Sequence, residues 1–328
     1  FTWFTLALVI AAFTIIVAKT FTTVPAAASS SIMFILLAVV FGIGLNRFKM
    51  SLGLSTFVGV VLLLAMIWLG QVYPVSAPES AWIYVLIVYI YFASVLPVWL
   101  LLQPRDYLNS FLLYLLLIAG FVGMLFYNPE IVYPAVTSFK VDSLGYLFPM
   151  LFVTVACGAI SGFHSLVASG TTAKQLDRES DGSLVAFGGM LIETFLGVLA
   201  LLTAVMLSGE TFAADLAAKG PVGVFANGMA QAINAIPGLK FEPGALISFV
   251  SLVVSAFALT SLDTATRLGR FAFQELAEFM PVGIQTPFKN KHVATILTIL
   301  PAAVLMFTGQ WAAIWPLFGS ANQLLASI

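Results

Sequence analysis

Leu184-Val-Ala-Phe-Gly-Gly-Met-Leu-Ile-Glu193-Thr-Phe-Leu-Gly-Val-Leu-Ala-Leu-Leu-Thr-Ala-Val-Met-Leu-Ser208 holds a single ionisable side chain, Glu193. Apolar residues lie on every face of the helix it would form, which is the pattern of a membrane span rather than of an amphipathic soluble helix. A span needs about 20 mostly apolar residues, and this run exceeds that. Backbone groups in lipid must be paired within the segment, so the run is read as an α-helix.

Working outward from 184–208, nine further runs have the same character: 3–19, 31–46, 52–70, 82–102, 110–126, 146–168, 245–262, 293–308 and 311–328. The expected fold is all-α, a polytopic transmembrane helix bundle of about ten spans forming one domain over 1–328. Pro97, Pro149, Pro301 and Pro316 lie within or near spans and mark expected kinks. The stretch 209–244, with Pro221, Pro237 and Pro243, reads as an outer excursion carrying a short surface or re-entrant helix. The stretch 263–292 reads as the continuation of one helix into an inner amphipathic segment, with Phe271, Phe273, Leu276 and Phe279 on its apolar side. If residue 1 starts inside, the inner loops hold nine Lys and Arg and the outer ones four, which favours that orientation. Both ends stop inside apolar runs, so the chain is expected to be the middle of a longer protein.

Composition supports the same reading. Of 328 residues 61% are hydrophobic and 8% are charged, and the mean hydropathy is +1.07. That balance excludes a soluble enzyme and a disordered chain. A net charge of −1 offers no field for nucleic acid. One cysteine, Cys157, and two histidines, His164 and His292, leave no expected metal site. The phosphate-binding Gly-x-x-x-x-Gly-Lys-Ser/Thr loop does not occur, so no nucleotide cofactor is expected.

Three groups of residues can carry chemistry. Glu193 lies deep in its run, with Gly189 and Gly197 four residues to either side on the same face. It is expected to face the protein interior, as a proton relay or cation ligand or as a neutral hydrogen-bonding contact between helices. Thr154, Gly158, Ser161, Ser165 and Ser169 recur at helical spacing beside His164, and Gly158, Gly162 and Gly170 weaken that helix. Freed backbone there can bind a substrate, or the hydroxyls can serve a tight helix crossing. Thr260, Ser261 and Thr264 with Asp263 form a row of oxygens suited to a hard cation or a proton, unless Asp263 simply pairs with Arg267 on a solvated surface. Arg105 and Asp106 follow Pro104 in what reads as a short inner loop that sets topology. Asn322 and Gln323, set in an apolar run, are expected to bond to a neighbouring helix.

An intramembrane serine hydrolase fits poorly. Ser161 and His164 lie three residues apart on one segment rather than on facing helices. A channel and a membrane sensor are the other competing classes.

Several motifs resemble the carbon starvation protein A family of transporters. They are Val95-Leu-Pro-Val-Trp-Leu-Leu-Leu-Gln-Pro-Arg-Asp-Tyr-Leu108, Ala156-Cys-Gly-Ala-Ile-Ser-Gly-Phe-His164, Ser169-Gly-Thr-Thr172, Gly188-Gly-Met-Leu-Ile-Glu193, Leu262-Asp-Thr-Ala-Thr-Arg-Leu-Gly-Arg-Phe271 and Leu317-Phe-Gly-Ser-Ala-Asn-Gln-Leu324. They run in family order from about residue 80 to the end. The resemblance implies a secondary transporter in the inner membrane of a bacterium or archaeon, importing pyruvate or short peptides. It implies proton coupling, with sodium as the alternative, and the inverted-repeat amino acid–polyamine–organocation (LeuT-like) fold. It also implies a broken helix at Gly158–Ser165 lining the substrate site, with Gly158, Ser161, Gly162, His164 and Ser165 as substrate ligands. Thr260, Ser261 and Thr264 then fall where relatives hold a cation. Glu193 is the first choice for the coupling proton and Asp263 the second. Two departures stand out: the family's Gly- and Pro-rich first helices are absent, and the segment after residue 208 is short.

Overall fold

A computed structural model describes residues 1–328 apart from 142–144, 156–159, 280 and 310, and apart from the side chains of 141, 151, 154, 155, 282–284 and 311–315. Helices dominate: α1 (Thr2–Thr23), α2 (Pro25–Asn46), α3 (Leu52–Val72), α4 (Glu79–Val95), α5 (Leu102–Tyr127), α6 (Leu147–Val155), α7 (Gly162–Gly170), α8 (Asp181–Val205), α9 (Gly209–Asn234), α10 (Pro243–Leu276), α11 (Val282–Lys289), α12 (Lys291–Thr308) and α13 (Trp311–Ala326). The strands among the described residues are Lys140–Val141 and Gly145–Tyr146, paired antiparallel. Seven described helices, α1, α2, α3, α5, α8, α10 and α12, have the length and apolar composition to cross a membrane. The protein is a multi-pass helical membrane protein.

The remaining three expected spans are shorter helices, and the differences have local causes. The run 82–102 does not stay helical. α4 ends at Val95 because Pro97 forces Leu96 into extended backbone (φ −67°, ψ 152°). α5 starts at Leu102, so Arg105 and Asp106 sit near the start of a helix and not in a loop. Pro104 is tolerated there because an N–H in the first turn has no intrahelical partner to lose. The run 146–168 is two helices rather than one: α6 stops at Val155, and α7 begins at Gly162 after Ser161, which is extended at φ −131° and ψ 124°. The Thr154–Ser169 stripe is therefore not one continuous helical face. The run 311–328 yields α13, 16 residues long.

One other stretch is more regular than the sequence suggests, and a second continues its helix as expected. Residues 209–234 form one helical element bent at Gly220, whose φ of 71° suits glycine and precedes Pro221. Its second half buries Ala226, Met229, Ala230 and Ile233. α10 continues as a single helix for 34 residues, so Asp263, Arg267 and Arg270 are all intrahelical. Glu193 is therefore not the sole charged residue deep within a long apolar helix.

The chain divides into two compact units, one of Phe1–Ala12, Pro134–Leu201 and Thr264–Ile328, the other of Phe13–Tyr133 and Leu202–Asp263. In the second unit glycines bring helices together. A Cβ on Gly123 of α5 would stand 2.6 Å from the Ala232 carbonyl oxygen of α9. A Cβ on Gly42 of α2 would stand 2.8 Å from the Leu100 carbonyl oxygen. Ser29 of α2 donates to the Tyr73 carbonyl at 2.8 Å and accepts from the Val75 N–H at 2.8 Å, fixing the end of α3. In the first unit Trp3 donates through Nε1 to the Thr298 hydroxyl at 3.2 Å, and Gly269 leaves room for the Thr298 methyl.

Candidate functional site

The start of α7 is built by its own sequence. Ser161 is the N-cap, and its Oγ accepts from the His164 N–H at 3.3 Å, satisfying one of the donors that a helix start leaves over. Asn322 of α13 serves the same end: its Oδ1 accepts from the Phe163 N–H at 2.6 Å and lies 3.3 Å from the Ser161 hydroxyl. Gly162 permits this approach, since a Cβ there would overlap the Asn322 carbonyl and meet Ala326 N at 2.7 Å. Asn322 is 1% exposed, and its Nδ2 has no partner among the described residues. The expected bond from this buried amide to a neighbouring helix is thus present. The Ser165 hydroxyl closes on its own helix, donating to the Gly162 carbonyl at 2.7 Å. Gly158 lies outside the described residues.

His164 and Glu193 meet. Nδ1 of His164 is 3.1 Å from Oε2 of Glu193, with the side chains 44% and 35% exposed. α7 and α8 thus present an imidazole and a carboxylate to one another within a helical membrane unit. A pair at this distance can share a proton or jointly hold a cation. Because the imidazole is turned to Glu193, the Ser161–His164 contact runs through the His164 backbone N–H.

The second unit holds a separate polar cluster. Arg105 donates through Nη1 to both the Tyr89 hydroxyl and Asp263 Oδ2. Tyr89 donates to the same Oδ2 at 2.6 Å. Asp106 Oδ1 lies 3.3 Å from Arg105 Nη2, and the Thr260 hydroxyl is within hydrogen-bonding reach of the Asp106 carboxylate. The solvated Asp263–Arg267 pair considered from sequence gives way to this arrangement, because Asp263 is fully buried and engaged by α4 and α5. Thr260 donates to the Ala256 carbonyl at 3.1 Å, Ser261 is half-buried, and Thr264, in the other unit, is buried. Among the described residues no three His, Cys, Asp or Glu side chains converge on a metal position.

Sequence reading missed Arg105 and Tyr89 as members of this cluster. Pro104 was the available signal: a proline marks the first turn of a helix as readily as the end of one.

The family model for carbon starvation protein CstA matches residues 1–218 and 210–328, which together run the length of the chain. The chain belongs to the CstA family. Among CstA relatives, the peptide transporter CstA of Bacillus subtilis (strain 168) is 33% identical over 336 residues, covering 90% of this chain and 56% of that protein. The peptide transporter CstA of Escherichia coli (strain K12) is 33% identical over 305 residues, covering 75% and 43%. The pyruvate/proton symporter BtsT of Escherichia coli (strain K12) is 29% identical over 368 residues, covering 84% and 50%. The chain spans about half the length of the curated relatives it matches. These CstA-family relatives carry the names of transporters, not of enzymes. No solved structure matches the chain.

Proposed function

We propose that this chain forms much of a secondary transporter that imports a small carboxylate such as pyruvate, or short peptides, by alternating access. The carrying observation is the His164–Glu193 pair, set two residues into a helix that restarts after an interruption. Ionisable groups at membrane depth are costly and are kept for ion and substrate pathways. The names of the relatives, peptide transporter and pyruvate/proton symporter, support the same substrate classes. The inner membrane of a bacterium or archaeon is the site of action in this reading, with lipid as the surrounding partner and the LeuT-like inverted repeat as the architecture.

In this scheme the substrate carboxylate binds at the start of α7, where helix geometry offers N–H donors and positive partial charge. Asn322 Oδ1 now occupies the Phe163 N–H, so an incoming carboxylate would take over that donor as Asn322 turns aside. Ser161, His164 and Ser165 line the same end, with Gly162 giving the backbone room. Glu193 carries the coupling proton, handed to or from His164. Asp263 is the reserve candidate, because Arg105 and Tyr89 already hold its carboxylate. Sodium held by Thr260, Ser261 and Thr264 is the alternative coupling.

The test is uptake of labelled pyruvate into proteoliposomes containing the full-length protein, under an inward proton gradient without sodium. Uptake that collapses with an uncoupler supports proton symport. Sealed vesicles that take up short peptides only with sodium, and pyruvate under no gradient, would overturn the pyruvate and proton assignments together.

A further inference from the structure

α9 carries a row of carboxamides, Asn227, Gln231 and Asn234, whose spacing of four and three residues sets them on one helical face. With Tyr127 at the end of α5, and with Pro243 and Ile247 at the start of α10, they line a cavity of about 450 Å³ within the second unit. That volume lies in the range of small-ligand pockets, about 300–1,000 Å³.

Asn234 shows what this row can grip. Its Nδ2 donates to the Phe241 carbonyl at 3.1 Å, and its Oδ1 accepts from the Phe241 N–H at 3.0 Å. Both main-chain groups of one residue are thus held by one carboxamide. An extended chain offers its N–H and C=O in this way, on the same side, at every second residue. One and two turns earlier the same chemistry is unfilled. Asn227 donates to the Gly223 carbonyl at 2.7 Å, leaving Oδ1 as an acceptor. Gln231 accepts from the Tyr127 hydroxyl at 3.0 Å, leaving Nε2 as a donor. An acceptor and a donor side by side on the cavity wall match the N–H and C=O of an extended peptide.

We propose that the Asn227–Gln231–Asn234 row is a binding site for the main chain of a short extended peptide, separate from the start of α7. The peptide N–H donates to Asn227 Oδ1 and its carbonyl accepts from Gln231 Nε2. Side chains stay outside these contacts, so the site tolerates varied sequences, as main-chain recognition does elsewhere. Pyruvate has no N–H and gains nothing from Asn227. The inference deepens the transport reading above by giving peptides a site of their own.

The test uses the full-length protein in nanodiscs of phosphatidylethanolamine and phosphatidylglycerol, with calorimetric titration of N-acetyl-trialanine amide. Binding is expected, and Asn227→Leu and Gln231→Glu should each weaken it by about tenfold, the worth of one hydrogen bond. Gln231→Glu keeps the size and the acceptor for Tyr127 and replaces the donor with a charged acceptor that cannot pair with a carbonyl, so a variant that stays folded and loses binding reports loss of the contact. N-acetyl-trisarcosine dimethylamide, which has no N–H group, should not bind. Equal binding of the N-methylated probe, unchanged affinity in both variants, or no binding because lipid fills the cavity would each overturn the proposal. Uptake by the wild-type protein judges the transport reading independently: binding without uptake of either pyruvate or short peptides keeps this site and sinks that reading, and uptake without binding does the reverse.

Discussion

Arg105 and Asp263, 158 residues apart in the chain, form an ion pair with side chains 2% and 0% exposed. The pair ties the start of α5 to α10, and Tyr89 of α4 donates to the same carboxylate oxygen. Charges buried this deeply are tolerated because they compensate each other. Removing one partner strands the other. Arg105→Gln or Asp263→Asn alone should lower stability by about 3–5 kcal/mol, and the double neutral variant should recover most of that loss. Thermal unfolding of the full-length protein in detergent measures this, and single variants as stable as the parent would refute it.

Glu193→Gln keeps the shape of the side chain and removes its proton exchange. Net uptake driven by a proton gradient should vanish, while exchange of labelled for unlabelled substrate across the vesicle membrane persists. His164→Gln should slow net uptake more than exchange. Uncoupler-sensitive uptake retained in Glu193→Gln would shift the coupling role to Asp263.

Asn322 supplies the acceptor for the Phe163 N–H at a buried helix start. Asn322→Leu leaves that donor without a partner, at a cost of about 1–3 kcal/mol. Asn322→Asp keeps an acceptor and should restore most of the difference. Amide hydrogen exchange over residues 162–170 is the appropriate probe: faster exchange in Asn322→Leu alone is expected, and equal rates in both variants would remove Asn322 from this role.

Gly123 faces the α9 backbone with no room for a methyl group. Gly123→Ala should therefore force α5 and α9 apart, at a cost of about 1–3 kcal/mol. A denaturation midpoint equal to the parent's would show that the crossing is looser than the geometry indicates.

The helical membrane character was legible because α1, α2, α3 and α8 are apolar all round, a signal that needs no knowledge of packing. Helix ends were less so. Hydropathy runs smoothly across Leu96-Pro97, so the end of α4 lies in one backbone constraint and not in composition. The buried amide Asn322 was readable as a contact to another helix, since an apolar run leaves such a group few alternatives. Its partner was not readable, and neither was the His164–Glu193 contact. Both depend on how α7 sits against α13 and α8. The Arg105–Asp263 pair was hidden for the same reason, and a topology-setting role is the ordinary one for an arginine after a proline.

The length of α10 bears on which carboxylate can exchange protons across the membrane. At 1.5 Å per residue its 34 residues measure roughly 51 Å, far more than a hydrocarbon layer of about 30 Å. Measured along the axis from Pro243, Asp263 lies about 30 Å away. Glu193 lies about 18 Å along α8 from Asp181. If each helix enters the layer at its first residue, Glu193 rests near the midplane and Asp263 at the far boundary. A group at the midplane is the one that two opposing water-filled entrances can reach in turn, whereas a group at one boundary would serve a single side.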